Sequence, residues 1–142
     1  MYPGLQHAHS GLRWIALLLI LWVIITAIQG LGKSAHANAG LRRPSLFAMI
    51  SVHLQAVLGL GLLMMSTKVM FSGEMMKSPV HRFFTMEHTL MMVIAIVLIT
   101  IGHGKAKAGL AKPTLWYYLI ALLLILAAIP WPFRTELGGS WF

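Results

Sequence analysis

The stretch WIALLLILWVIITAIQGLG, residues 14–32, contains no charged side chain. It is about as long as the 20-residue helix that crosses the hydrocarbon core of a bilayer. Three further uncharged runs follow, at residues 44–67, 88–104 and 113–133. Only 10% of the chain is charged and 58% is hydrophobic, whereas about a quarter of a typical soluble domain is charged. The sequence therefore predicts a membrane protein.

The four runs predict an all-α fold, because they are continuously apolar and lack the alternation of a transmembrane β-barrel. The predicted helices are residues 4–31, 44–70, 79–103 and 113–129 of a single domain, residues 1–142. A proline stands at or near the start of each, where it costs no hydrogen bond: Pro3, Pro44, Pro79 and Pro113. The short connections predict an up-down-up-down bundle. We expect the first helix to be retained, because no Lys or Arg precedes Arg13 as in a signal peptide.

The charges predict the orientation of the bundle. Loops 33–43 and 105–112 carry three basic residues each and no acid, which favours the cytoplasmic side. We call the end with these loops the basic end, and the opposite end, with both chain termini, the terminal end. The termini would then be periplasmic in a bacterial inner membrane. Because the net charge of +8 comes from loops and helix ends, the predicted partner is the lipid bilayer and not nucleic acid.

Three of the seven histidines, His9, His53 and His88, fall at or below the expected membrane surface. The others lie at helix ends or in loops: His7, His36, His81 and His103. Ionisable residues within a membrane are costly, usually face the bundle interior and are commonly functional. The three histidines therefore predict a metal or haem site, and hydrogen bonds between helices are the alternative. The absence of cysteine excludes Cys-ligated iron–sulfur clusters and thioether-linked haem.

Depth in the membrane tests which histidines can share one metal. His9 lies six residues after Pro3. His88 lies nine residues after Pro79 on a helix that runs in the same direction. The mismatch of three residues is about 4.5 Å at the rise of an α-helix, which helix tilt can absorb. We therefore predict His9 and His88 as ligands, with His53 in reserve.

Arginines near the terminal end favour a cofactor with carboxylates. Arg13 follows His9 by four residues and shares its helix face. Arg82 and Arg134 flank the same end. Guanidinium groups pair bidentately with carboxylates such as haem propionates, so we predict these three arginines as cofactor-binding residues. Membrane anchoring is the alternative.

Glu87 lies about 100° around the helix from His88, so we do not expect it on the ligand face. We predict that it supports the cofactor site by pairing with an arginine, with Arg13 as the first choice and Arg82 as the second. A role in a proton or quinone pathway is the alternative.

Methionine provides a competing metal hypothesis. Eight of the ten methionines fall between Met64 and Met92. Thioethers are suited to Cu(I), although most methionines in membranes are flexible apolar filler.

Four short motifs carry a resemblance to a known family: HSGLRW at 9–14, HLQ at 53–55, RFFTMEH at 82–88 and WPFR at 131–134. Over nearly its full length the chain resembles small four-helix bacterial membrane proteins of a cytochrome b-like family. It is more loosely similar to the haem-binding halves of haem A synthase and to di-haem cytochromes of the b561 type. The resemblance implies haem b held between histidines of different helices. Unlike the b561 type, the fourth predicted helix contains no histidine.

The expected function is that of a b-type cytochrome that carries single electrons. It would be a subunit or partner of a respiratory quinol-oxidising complex, with quinone as a further candidate partner. No nucleophile–base pair or phosphate-binding loop is recognisable, so an electron-transfer subunit is favoured over an enzyme. The alternatives are a haem-free structural subunit and a copper-handling membrane protein.

Overall fold

The computed structural model describes residues 2–139 and 141. The four long helices are α1 (Tyr2–Gln29), α2 (Arg42–Met65), α3 (Pro79–Lys107) and α4 (Ala111–Ala128). Short 3-10 turns occur at Ala39–Leu41, Gly73–Lys77 and Thr135–Leu137. The described residues contain no strand, and these four helices are long and apolar enough to cross a membrane. The prediction of an all-α four-helix membrane bundle is confirmed.

The end of α2 differs most from its predicted bound. The helix stops at Met65, and Ser66 is extended, where Ser66, Thr67 and Lys68 interrupt the apolar sequence. The Ser66 hydroxyl accepts a hydrogen bond from the backbone N–H of Lys68, at 3.2 Å. Such local side-chain bonds compete with the helix for backbone groups. The chain therefore leaves α2 five residues before position 70.

Helices that follow one another along the chain pack side by side. α1 contacts α2 and α4, and α3 contacts the same two helices. α1 and α3 are therefore diagonal in the bundle and run in the same direction. A ligand pair on these two helices has to meet across the bundle interior.

The buried core is concentrated in the half towards the basic end. Buried positions begin at Ala16 in α1, end at Val52 in α2 and, Phe83 apart, begin at Ala95 in α3. Many of them are Ala, Ser or Gly, and small side chains let helix backbones approach closely. Among residues 2–15 of α1 and 53–65 of α2, none is buried. The half at the terminal end is therefore more open.

Buried polar groups in the basic half form hydrogen bonds with one another. His103 Nδ1 lies 2.9 Å from the hydroxyl oxygen of Ser45, and the Tyr118 hydroxyl donates to the Ser45 carbonyl at 3.2 Å. A Cβ on Gly102 would lie 2.8 Å from the Tyr118 ring, so α3 and α4 are in close contact there. These interactions join α2, α3 and α4.

Buried Asn38 ties together the two loops of the basic end. Its amide nitrogen donates to the carbonyls of Gly30, at 3.0 Å, and Gly109, at 3.2 Å. Gly109 has a φ of +70° and lies directly against the Ala35 carbonyl, so a side chain there would be both strained and obstructed. One side chain thus fixes both short connections.

Candidate functional site

The structure brings His9 and His88 together. Their ring centroids are 6.4 Å apart and their planes are inclined by 66°. The meeting depends partly on a π-turn at Phe83–Glu87, immediately before His88. A π-turn accommodates an additional residue in a turn and is frequent at functional sites, so it reduces the mismatch in depth estimated from an unbroken α-helix. The sequence gives no clear signal of this turn.

His88 is held in a defined orientation. Its Nδ1 lies 2.8 Å from the Ala128 carbonyl oxygen, and because a carbonyl only accepts, Nδ1 carries the proton. Ala128 is the last residue of α4, where carbonyls lack partners within the helix. The rings of Phe83 and Phe84 pack against the imidazole, with centroids 6.0 Å and 6.4 Å away. Nε2 of His88 is left as the nitrogen with a free lone pair.

His9 packs against the backbone of α2 at a glycine. A Cβ on Gly59 would lie 3.5 Å from Cε1 of His9 and 4.0 Å from Nδ1. Nδ1 therefore faces α2. It is buried and has no hydrogen-bond partner. The glycine permits the contact between ring and backbone, because a small residue lets a neighbouring group approach the helix closely.

The distance between the two rings suits a shared metal ion. With metal–nitrogen bonds of about 2.0 Å, two imidazoles on opposite sides of one ion have centroids about 6 Å apart. Within residues 2–139 and 141, no group of three or more His, Asp or Glu side chains converges to hold a metal. The other ligands of an ion at His9 and His88 would have to come from a bound group, as they do in haem.

Arg13 and Arg134 lie near this pair, at the terminal end. Arg13 donates to the Trp141 carbonyl at 2.8 Å, while its Nε is buried without a partner. Arg134 donates to the Ala127 carbonyl at 3.2 Å. Its guanidinium also lies 4.8 Å from the ring centroid of Phe83, which itself packs on His88. Both arginines retain donors for an anionic group.

Glu87 pairs with Arg82 and not with Arg13, its first predicted partner. Arg82 Nε donates to Glu87 Oε1 at 2.8 Å, and both side chains are about two-fifths exposed, at 40% and 39%. The residues are five apart, a spacing that the π-turn between them brings onto one face. Arg82 is therefore already engaged by a carboxylate.

His53, the reserve ligand, lies away from this site. It is exposed on α2, and its Nδ1 contacts the Met49 carbonyl of the same helix at 2.8 Å. The predicted bounds of the helix gave the depth of His53 in the membrane but not its direction around the helix axis. The sequence therefore did not indicate that His53 faces outwards.

Gln55 belongs to the HLQ motif but was not among the site residues predicted from the sequence. It lies one helical turn before Gly59 and on the same face of α2. Its Oε1 is buried without a hydrogen-bond partner. The backbone of Gln55 also lies beside the His9 ring.

No protein-family model, curated protein or solved structure matches the chain. The cytochrome b-like resemblance therefore depends on the four motifs and stays a prediction.

Proposed function

We propose that the protein binds one haem b between His9 and His88 and carries single electrons within the membrane. The observation that carries the proposal is the 6.4 Å separation of the two imidazole centroids across diagonal helices. Within the described residues the two rings make no hydrogen bond to each other, and His88 bonds instead to α4 through the Ala128 carbonyl.

The hydrogen bond from His88 to Ala128 supports a ligand role. Histidines that bind metals almost always donate their other ring N–H to a carbonyl, a carboxylate or water, which fixes the tautomer and the ring orientation. The 2.8 Å contact of His88 Nδ1 has this form and would leave the Nε2 lone pair free to bind a metal.

Packing and charge at the terminal end support a large anionic group. In the half at the terminal end, Phe83 is the one buried residue of α1, α2 and α3 among those described. Arg13 and Arg134 would bind the propionates, and Arg82 would contribute through its ion pair with Glu87. The iron supplies the one-electron redox change.

The setting of this function is part of the proposal. A multi-pass protein in a bacterial inner membrane with periplasmic termini would present the haem end to the periplasm. It would exchange electrons with a respiratory quinol-oxidising complex as a subunit or partner, and quinone is a candidate donor.

The deciding experiment is a reduced-minus-oxidised absorption spectrum of the purified protein with three single variants. We expect a haem b signal in the wild type. His88→Ala and His9→Ala should insert into the membrane, because insertion depends on apolar length, and should lose the haem. His53→Ala is the matched control and should keep an unchanged spectrum.

Two results would contradict the proposal. A wild-type protein without haem would favour a structural subunit, or a copper-handling protein if elemental analysis finds copper. Haem that persists in His88→Ala would remove the assigned ligand.

A further inference from the structure

An open cavity of about 210 Å³ lies at the basic end, between the loop that follows α1 and the start of α4. Buried Asn38 lines the cavity, and its hydrogen bonds to the carbonyls of Gly30 and Gly109 hold the two walls together. Sites for drug-sized molecules have volumes of about 300 to 1,000 Å³. The cavity is therefore preformed and has room for a small polar group, but not for a large cofactor.

Two lysines from different loops give this cavity a positive charge. Lys33 follows α1, Lys112 is the second residue of α4, and both line the cavity and are exposed. Neither ammonium takes part in an ion pair within the described residues. The surrounding stretches 33–43 and 105–112 contain four more basic residues and no acid. The group that fits the cavity is therefore an anion.

Apolar side chains beside the lysines distinguish a lipid from a soluble anion. Leu31 and Leu110 line the same cavity and are 44% and 43% exposed. Trp116 is also exposed, and it follows Lys112 by four residues on the same face of α4. Tryptophans of this kind are typical of the interface between membrane and water. The lysines therefore lie at the level of the lipid headgroups, with apolar surface next to them.

We infer that Lys33 and Lys112 bind the phosphate of an anionic phospholipid in this cavity, and that Leu31 and Leu110 contact the start of its acyl chains. Lysine binds phosphate as a point charge, and basic pockets between transmembrane helices bind anionic headgroups in other membrane proteins. The inference does not depend on the proposed haem site, because His9 and His88 lie at the terminal end.

A lipid titration of the purified full-length protein in a neutral detergent tests the site. Phosphatidylglycerol and phosphatidylcholine are added separately, and native mass spectrometry counts the bound molecules. We expect one phosphatidylglycerol to bind in preference, because the choline group cancels the charge of its phosphate. Inorganic phosphate, which lacks acyl chains, should not displace it at the same concentration. Equal binding of the two lipids, or displacement by phosphate, would overturn the inference.

The double variant Lys33→Gln/Lys112→Gln removes both charges from the cavity. We expect its affinity for phosphatidylglycerol to fall about 30-fold, the change that follows from roughly 1 kcal/mol for each lysine at a membrane surface. Lys33→Arg/Lys112→Arg keeps the charges and should retain most of the binding. An unchanged affinity in the glutamine variant would refute the assignment of the two lysines.

Arg43→Gln/Lys107→Gln is the matched control for this substitution. It removes the same charge from the same end, at two exposed residues that do not line the cavity. The control should lose much less affinity, whereas an equal loss in both double variants would show a diffuse attraction to the basic end and overturn the cavity site. Because all four residues are exposed, both variants should fold, which circular dichroism checks.

Discussion

The two halves of the bundle are built from similarly apolar helices but are packed differently. Towards the basic end, small residues bring the helices into contact, Ser45 hydrogen-bonds to His103, and Asn38 donates to backbone carbonyls. Towards the terminal end, α1, α2 and α3 bury one side chain, that of Phe83, among the described residues. His9 and Gln55 leave buried polar atoms unpaired there. The difference teaches that burial, and not hydrophobicity, distinguishes the scaffold from the candidate site in this membrane protein.

Three glycines test the comparison, and Gly102 gives the largest expected effect on stability. Gly102→Ala should lower the free energy of unfolding by about 1 to 3 kcal/mol, the usual cost of overpacking a close-packed core. The new Cβ would lie 2.8 Å from the ring of fully buried Tyr118. Reversible unfolding in detergent mixtures, followed by circular dichroism, measures the change.

Gly104→Ala and Gly59→Ala are the matched controls for that substitution. A Cβ on Gly104 meets nothing within 4 Å, and one on Gly59 makes an ordinary contact with His9. Both should be neutral or stabilising by up to about 1 kcal/mol, since alanine favours helix. Equal destabilisation at all three positions would break the comparison between a close-packed and an open half.

A pair of serines sharpens the comparison through hydrogen bonding. Ser45→Ala removes the partner of His103 Nδ1 and should destabilise the bundle by about 1 to 2 kcal/mol, within the range for stranding a buried polar group. Ser10→Ala, at a half-buried position in the open half, should change stability by no more than about 0.5 kcal/mol. The same unfolding measurement applies, and a Ser10 effect as large as that of Ser45 would contradict it.

The ion pair of the π-turn should show the smallest effect. Because Arg82 and Glu87 are partly exposed, we expect a coupling of about 0.2 to 1 kcal/mol from a double-mutant cycle of Arg82→Gln and Glu87→Gln. Coupling between Glu87 and Arg13, tested in a parallel cycle, should be absent. The reverse result would restore the partner first predicted from the sequence.

The sequence alone determined the number of membrane-crossing helices and most of their ends. Membrane insertion depends on the length of each apolar run, and that length is a local property. The start of α3 at Pro79 could be read because proline is favoured in the first turn of a helix. The end of α2 was misjudged, because the predicted helix was extended through Ser66, Thr67 and Lys68, whereas Ser66 makes a local turn there.

Only the tertiary structure decided which side chains share the bundle interior. Apolar residues cover every face of a membrane helix, so hydrophobicity does not distinguish lipid from a neighbouring helix. His53 and His88 therefore read alike in the sequence, although one is exposed and the other faces His9. The π-turn before His88 and the placement of Gln55 beside His9 arise from packing between helices, which no single run of sequence specifies.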